Sequence, residues 1–317
     1  MTRISFDAKR GEELMATLLD AYRRTHGVHW YRPETHAPQH LNRPNGMNRG
    51  GLEWRRWISV AGGTDRRTVS SHHYAAHVDL YAKYPEMYTP QAAMLSPEIV
   101  EQRLRKHGLS MPRQTSLFWP VFAGTLQRLF QDDPLNIFRD GSIESIIKFK
   151  QRFKKENGYD PLPGYGPKIA SLVAIFFEEC GLIKIDDALP VDLHLQRIFI
   201  STGIVILNEI VTNEHLENPI RLFLCELCYK RGWNRVELAH ALWFLGNKAC
   251  SRCQHHAEMS LACSLYSECN GKASSRKYFR KGVWDPGMTS CRKGGSLMFQ
   301  LEPTSPNSGQ IPLFSSL

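Results

Sequence analysis

The segment Leu162-Pro163-Gly164-Tyr165-Gly166-Pro167-Lys168-Ile169-Ala170 constrains this chain more than any other stretch. Two glycines two positions apart permit a tight turn and a close approach of the backbone to another surface. Pro167 then suits the first turn of a helix, where its missing N–H has no helical partner anyway. Leu172, Val173, Ile175 and Phe176 continue that helix, which the sequence ends near Gly181. A glycine turn feeding a helix points backbone N–H groups outward, which makes an anion site. The same spelling also describes a plain connection between two helices, so the local sequence leaves both readings open.

Further along, Leu189-Pro190-Val191-Asp192-Leu193-His194-Leu195-Gln196-Arg197-Ile198 places Asp192 just ahead of a second helix. An aspartate there caps the first backbone N–H groups. A carboxylate at a helix start also stabilises a developing cation or steers a nucleophile. Both roles fit this spelling.

The rest of the chain reads as nearly all α, because apolar–polar alternation over five or more residues hardly occurs. Helical spacing runs from Gly11 to His26, and residues 32–51 read as loop. From Leu52 to Arg139 the pattern is helical, with Ser96-Pro97-Glu98 opening a helix that stops at Gly108 and another spanning Trp119 to Phe130. Ser142 to Lys155 is a further helix whose Lys148, Lys150, Arg152, Lys154 and Lys155 read as a solvated charged face. After Cys269, Ser, Gly, Pro, Lys and Arg dominate, and residues 271–317 read as a flexible basic tail with Arg276, Lys277, Arg280 and Lys281 available to phosphates.

At 317 residues and 42% hydrophobic content the chain can bury a sizeable core. The formal net charge of +9 suits a polyanionic partner, since Lys and Arg displace counterions from phosphates. No apolar run approaches the roughly 18 residues of a membrane span, and the N-terminus lacks the apolar centre of a secretory signal. The expected setting is a reducing cytoplasm, in association with the nucleoid, where eight cysteines are not a disulfide framework. Four of them, Cys250, Cys253, Cys263 and Cys269, follow C-x2-C-x9-C-x5-C, a spacing of thiolates that suits zinc or an iron–sulfur cluster. His255 and His256 lie inside that loop as substitute ligands or exposed polar residues, whereas Cys225 and Cys228 sit in an apolar helix and read as core.

The pair LPGYGPKIA and VDLHLQRI closely resembles the signature of the endonuclease III-like helix-hairpin-helix DNA glycosylases, commonly LPGVGxKTA followed by VDTHVxRV. The resemblance spans roughly residues 52–270, with the two segments as its specific part. It implies an all-α fold of two helical domains flanking a DNA-binding cleft, with the hairpin in one and a C-terminal cysteine-cluster loop in the other. The implied division is 1–51 as an N-terminal helix and loop packing with the cluster domain, 52–190 as a six-helix barrel-type domain with the hairpin, 191–270 as the catalytic-aspartate and cluster domain, and 271–317 as the tail.

The resemblance also assigns roles. Leu162, Gly164, Tyr165 and Gly166 would hold the DNA backbone through main-chain amides, usually with an alkali cation. Arg66, Arg67 and Thr68 would wedge into the base stack. Lys168 falls on the lysine that forms a Schiff base with C1′, and Asp192 on the catalytic aspartate. The cysteines would hold a 4Fe-4S cluster, with zinc as the alternative; the last interval matches the family's C-x6-C-x2-C-x5-C and the first two do not. Lys168 and Asp192 stand 24 positions apart, a longer spacing than is usual in the family, so residues within 178–189 must loop out.

The chemistry suits these residue types: a carboxylate lowers the barrier to a cationic sugar, and an amine becomes a nucleophile when desolvation or a neighbouring cation favours its neutral form. The implied partner is double-stranded DNA, bound by a monomer. Gln310, Leu313 and Phe314 near the C-terminus resemble a sliding-clamp peptide, and equally an apolar chain end. A monofunctional glycosylase for a mismatched or phage-type modified base, a non-catalytic DNA-binding protein with a structural metal, and a cluster-bearing redox protein are the competing readings. The sequence leaves open which base is released, and whether Trp30, Trp54 and Trp57 stack on it or fill the core.

Overall fold

The computed structural model describes residues 3–65, 69–250, 259–269, 276–278 and 281–284. These are mostly helical, with a few short strands. Strand β1 (Ile4–Phe6) leads into helix α1 (Ala8–Arg23), capped by the Asp7 carboxylate on the Arg10 amide. Two one-turn helices, α2 (Pro33–His36) and α3 (Pro38–Leu41), follow within the stretch expected to be loop. Each starts on a proline, whose fixed φ begins a turn that the polar composition hides.

Six longer helices come next: α4 (Leu52–Thr64), α5 (Ser70–Lys83), α6 (Pro97–Lys106), α7 (Pro112–Leu129), α8 (Ile143–Asn157) and α9 (Pro167–Glu178). The Ser96 hydroxyl accepts from the Ile99 amide at 3.4 Å to start α6, and Ser142 does the same for Ser145 at 3.0 Å in α8. Helix α7 begins seven residues before the Trp119 start expected from sequence, carrying Pro120 inside it. An interior proline costs about 3 kcal/mol; burial of Thr115, Ser116, Trp119 and Phe122 along the same helix offsets it.

The remaining elements are α10 (Leu193–Ser201), β2 (Val205–Leu207), β3 (Val211–Thr212), α11 (Asn213–Arg231), α12 (Arg235–Phe244), a π-helical turn at Leu245–Ala249, α13 (Met259–Ala262), β4 (Arg276–Tyr278) and β5 (Lys281–Trp284). Antiparallel β1 and β2 pair Ser5 with Ile206, and a second sheet has the order β3-β5-β4.

Two apolar cores form. The first draws on residues 47–188 and buries Trp54, Trp57, Tyr74, Trp119, Tyr165 and Phe177. The second joins Leu14, Leu18, Tyr22 and Val28 to Leu189, Leu195, Phe199, Leu224 and Phe244. Trp54 and Trp57 are therefore core, while Trp30 is 56% exposed and stacks on Tyr31 at 4.1 Å.

The second core takes in one residue of the stretch read from sequence as a flexible basic tail, Trp284. Trp284 is 1% exposed, pairs across β3 with Val211, and donates from Nε1 to Gln196 at 2.8 Å. A four-residue strand in Ser- and Gly-rich surroundings shows no periodicity, and the Val211 and Gln196 that hold Trp284 lie about 70 to 90 residues away from it.

A buried charge knot joins the cores. Glu179, after the end of α9, accepts from His40 Nε2 at 2.9 Å, His240 Nε2 at 2.7 Å and Arg49 at 2.8 Å. Burial opposes ionisation of this carboxyl, but the bonds from His240 and His40 outweigh it and hold the group down at about 2. Residues 32–51 are thus tied both to α9 and to α12. Among the described residues, no helix is long and apolar enough to cross a membrane.

Candidate active site

Gly164 has φ +93°, which only glycine adopts readily, and it turns the chain between the Leu162 carbonyl and the Tyr165 amide, 3.1 Å apart. Gly166 then stands at the N-cap of α9 with no side chain to offer it. Leu162 and Tyr165 are buried, at 0% and 1% exposure. Tyr165 stacks on Phe122 at 5.1 Å and donates to the Ser59 carbonyl at 2.8 Å. Their side chains are core, and the turn closes on itself: the Leu162 amide donates to Asp160 at 3.0 Å, and the Tyr165 and Gly166 amides donate to the Leu162 and Gly164 carbonyls at 3.1 and 3.0 Å.

Helix α4 approaches the hairpin closely because it ends in small residues: a Cβ on Gly63 would lie 3.1 Å from the Tyr165 ring. On the other side, Lys150 donates to the Tyr165 carbonyl and pairs with Asp160 at 3.3 Å, its side chain only 13% exposed. Lys150 thus leaves the solvated face expected from sequence, and places an ammonium on a hairpin carbonyl, where the family resemblance implies a cation. Arg152, Lys154 and Lys155 do stay exposed on α8, the helix that leads into the hairpin.

Lys168 is the second residue of α9 and is half-buried. Its backbone amide donates to Glu217 Oε1 at 2.6 Å. Glu217 lies on α11, so this bond links a helix of the first core to one of the second. Burial raises the Glu217 carboxyl above its ordinary value, against the opposing pull of the Lys168 amide and of the Lys168 and Arg221 charges. Sequence reasoning missed Glu217, since a glutamate in an amphipathic helix carries no local signal of a distant partner.

Asp192 caps α10, with Oδ1 accepting from the amides of His194 at 2.8 Å and Leu195 at 3.0 Å. Both bonds fall on one oxygen, which leaves Oδ2 as the one a ligand would meet. Arg197, one turn further along α10, feels the charges of both Cys250 and Asp192; burial lowers its proton affinity and these two partners oppose that. Arg197 too escaped the sequence reading.

The long spacing between Lys168 and Asp192 is taken up by a linker that Asp187 anchors. Its carboxylate accepts from the amides of Ile143 at 2.7 Å and Glu144 at 3.1 Å, capping α8 from outside, and pairs with Arg221 at 3.0 Å.

Cys250, Cys263 and Cys269 are half-buried, and Cys250 and Cys263 pack against the second core. Among the described residues, no group of three or more His, Cys, Asp or Glu side chains is placed to hold a metal ion. Cys253, with His255 and His256, lies outside the described residues, as do Arg66, Arg67, Thr68, Gln310, Leu313 and Phe314. Cys225 and Cys228 are buried in α11, and burial pushes their thiols up to about 12 and about 11, as suits core residues. No family model matches the chain, and neither does any curated protein.

Proposed function

We propose that this chain is a DNA glycosylase that releases a damaged, mispaired or modified base from duplex DNA, and then cleaves the abasic strand through Lys168. The observation that carries the reading is the hairpin itself. A positive-φ glycine turn whose Leu162 and Tyr165 side chains are anchored in the core hands directly to a helix whose second residue is the candidate nucleophile. Exposed Arg152, Lys154 and Lys155 on the preceding helix and the net charge of +9 suit a phosphate backbone.

In this reading the target nucleotide is flipped out of the stack and its C1′ meets Lys168 Nζ. The C1′–N bond breaks, its electron pair leaving with the base, which takes up a proton. Asp192 Oδ2 stabilises the positive charge on the sugar. The Lys168 amine bonds to C1′ and gives up a proton. The C1′–O4′ bond then breaks, its electron pair going to O4′, which takes up a proton. The resulting imine permits elimination, in which C2′ loses a proton and the C3′–O bond breaks with the phosphate as leaving group.

The test is mass spectrometry of bases freed from damaged, mismatched and phage-modified duplexes. A base set free by the wild-type chain supports the reading; binding with no release from any duplex points to a DNA-binding protein instead. Lys168→Gln is expected to abolish the covalent complex that borohydride traps by reducing the imine. Base release that persists while trapping never occurs, even in the wild type, would make the enzyme monofunctional.

Cys250, Cys253, Cys263 and Cys269 are the proposed ligands of a 4Fe-4S cluster, on the strength of their clustered thiols and of the family resemblance. The mechanism above does not run through the cluster. Cys263→Ala is expected to bleach a broad absorption band near ~400 nm in protein purified without air. A colourless wild-type chain containing zinc would replace the cluster by a zinc site.

A further inference from the structure

We propose that Glu217 is a positioning residue for Lys168: its carboxylate, reaching over from another helix, fixes the start of α9 through the Lys168 amide. This rests on the reading of Lys168 as the nucleophile.

Three observations lead to it. Helix α9 begins at Gly166 and Pro167, neither of which offers a capping side chain, so its first donating amide has to find an acceptor elsewhere. Glu217 Oε1 provides it at 2.6 Å from a different helix. A carboxylate at a helix N-terminus is favoured by the helix dipole as well.

The second observation is where the bond lies. Lys168 stands on α9, which packs in the first core, while Glu217 stands on α11 and Asp192 caps α10, both packed in the second. The Lys168–Glu217 bond therefore sets the position of the nucleophile's backbone against the core in which the helix of the aspartate packs. A misplacement of about 1 Å in such a pair can cost two orders of magnitude in rate.

The third is that Glu217 has no competing ion pair among the described residues. Arg221, one turn further along α11, is engaged by Asp187 at 3.0 Å and by Asn218. The Glu217 carboxylate is thus left to the amide of α9.

Glu217→Gln keeps an oxygen that can accept from the Lys168 N–H, and Glu217→Ala removes it. The first readout needs no DNA: hydrogen exchange of the peptide that holds the Lys168 amide, read by mass spectrometry. Exchange at the start of α9 is expected to be about tenfold or more faster in Glu217→Ala and close to wild type in Glu217→Gln. Equal exchange in all three proteins would overturn the proposal. The second readout is the rate of borohydride trapping on DNA. If the wild-type chain traps on no duplex, the glycosylase reading fails, while the exchange result still decides whether Glu217 fixes the start of α9. If the wild type traps, Glu217→Ala is expected to slow trapping by about tenfold or more with DNA binding kept, and Glu217→Gln to restore it; trapping by Glu217→Ala at the wild-type rate counts against the role.

Discussion

Replacing Asp192 with asparagine is expected to leave the protein folded and to reduce base release by about 10²–10³-fold or more. The two halves of that expectation have separate causes. Asp192 caps α10 through one oxygen, which accepts from the His194 and Leu195 amides. The asparagine carbonyl can accept both bonds, and Asn and Asp are near-equal N-caps, so stability should change by well under ~1 kcal/mol. What the substitution removes is the negative charge, and with it the partner of a developing sugar cation. Single-turnover base release together with a thermal melt separates the two. A variant that melts and releases base like the wild type would leave Asp192 as a helix cap and no more.

The largest expected effect on stability is at Glu179. Removing one partner of a buried ion cluster typically costs about 3–5 kcal/mol, because it leaves the others buried without compensation. Glu179→Ala would strand His40, Arg49 and His240 between the two cores, and the loss should appear as a marked fall in melting temperature. The pH dependence has a definite sign. The Glu179 carboxyl is held at about 2 in the fold, against an ordinary 4.5. Its contribution is therefore full above about 4.5 and is lost as pH falls through that range towards about 2. A shift of this size corresponds to something on the order of 3 kcal/mol.

His29 adds a second acid-sensitive window. It is fully buried, neither ring nitrogen has a hydrogen-bond partner among the described residues, and burial pushes it down to about 4 from 6.5. The unfolded chain takes up that proton first, so stability should fall as pH drops from about 6.5 to about 4. Urea unfolding of wild type and Glu179→Gln across acid pH checks both windows. The lower one should flatten in the variant and the upper one should persist. A lower window of equal depth in both proteins would assign the acid limb to other carboxylates.

The sequence by itself determined what depends on neighbouring residues. Gly164 requires a turn of positive φ, Pro167 opens a helix, and Asp192 and Ser96 cap the helices that follow them; each effect acts within a few positions of the residue concerned. Helical periodicity likewise exposed the apolar character of Cys225 and Cys228, which the structure buries in α11. Only the tertiary structure decided the contacts that join separate segments: Glu217 on the Lys168 amide, Lys150 on the Tyr165 carbonyl, the Glu179 knot, and Trp284 against Val211 and Gln196. Charged and amphipathic side chains read as solvated wherever they stand in a sequence. Whether one is buried depends on which partner folding brings within about 3 Å of it, and no local pattern encodes that encounter.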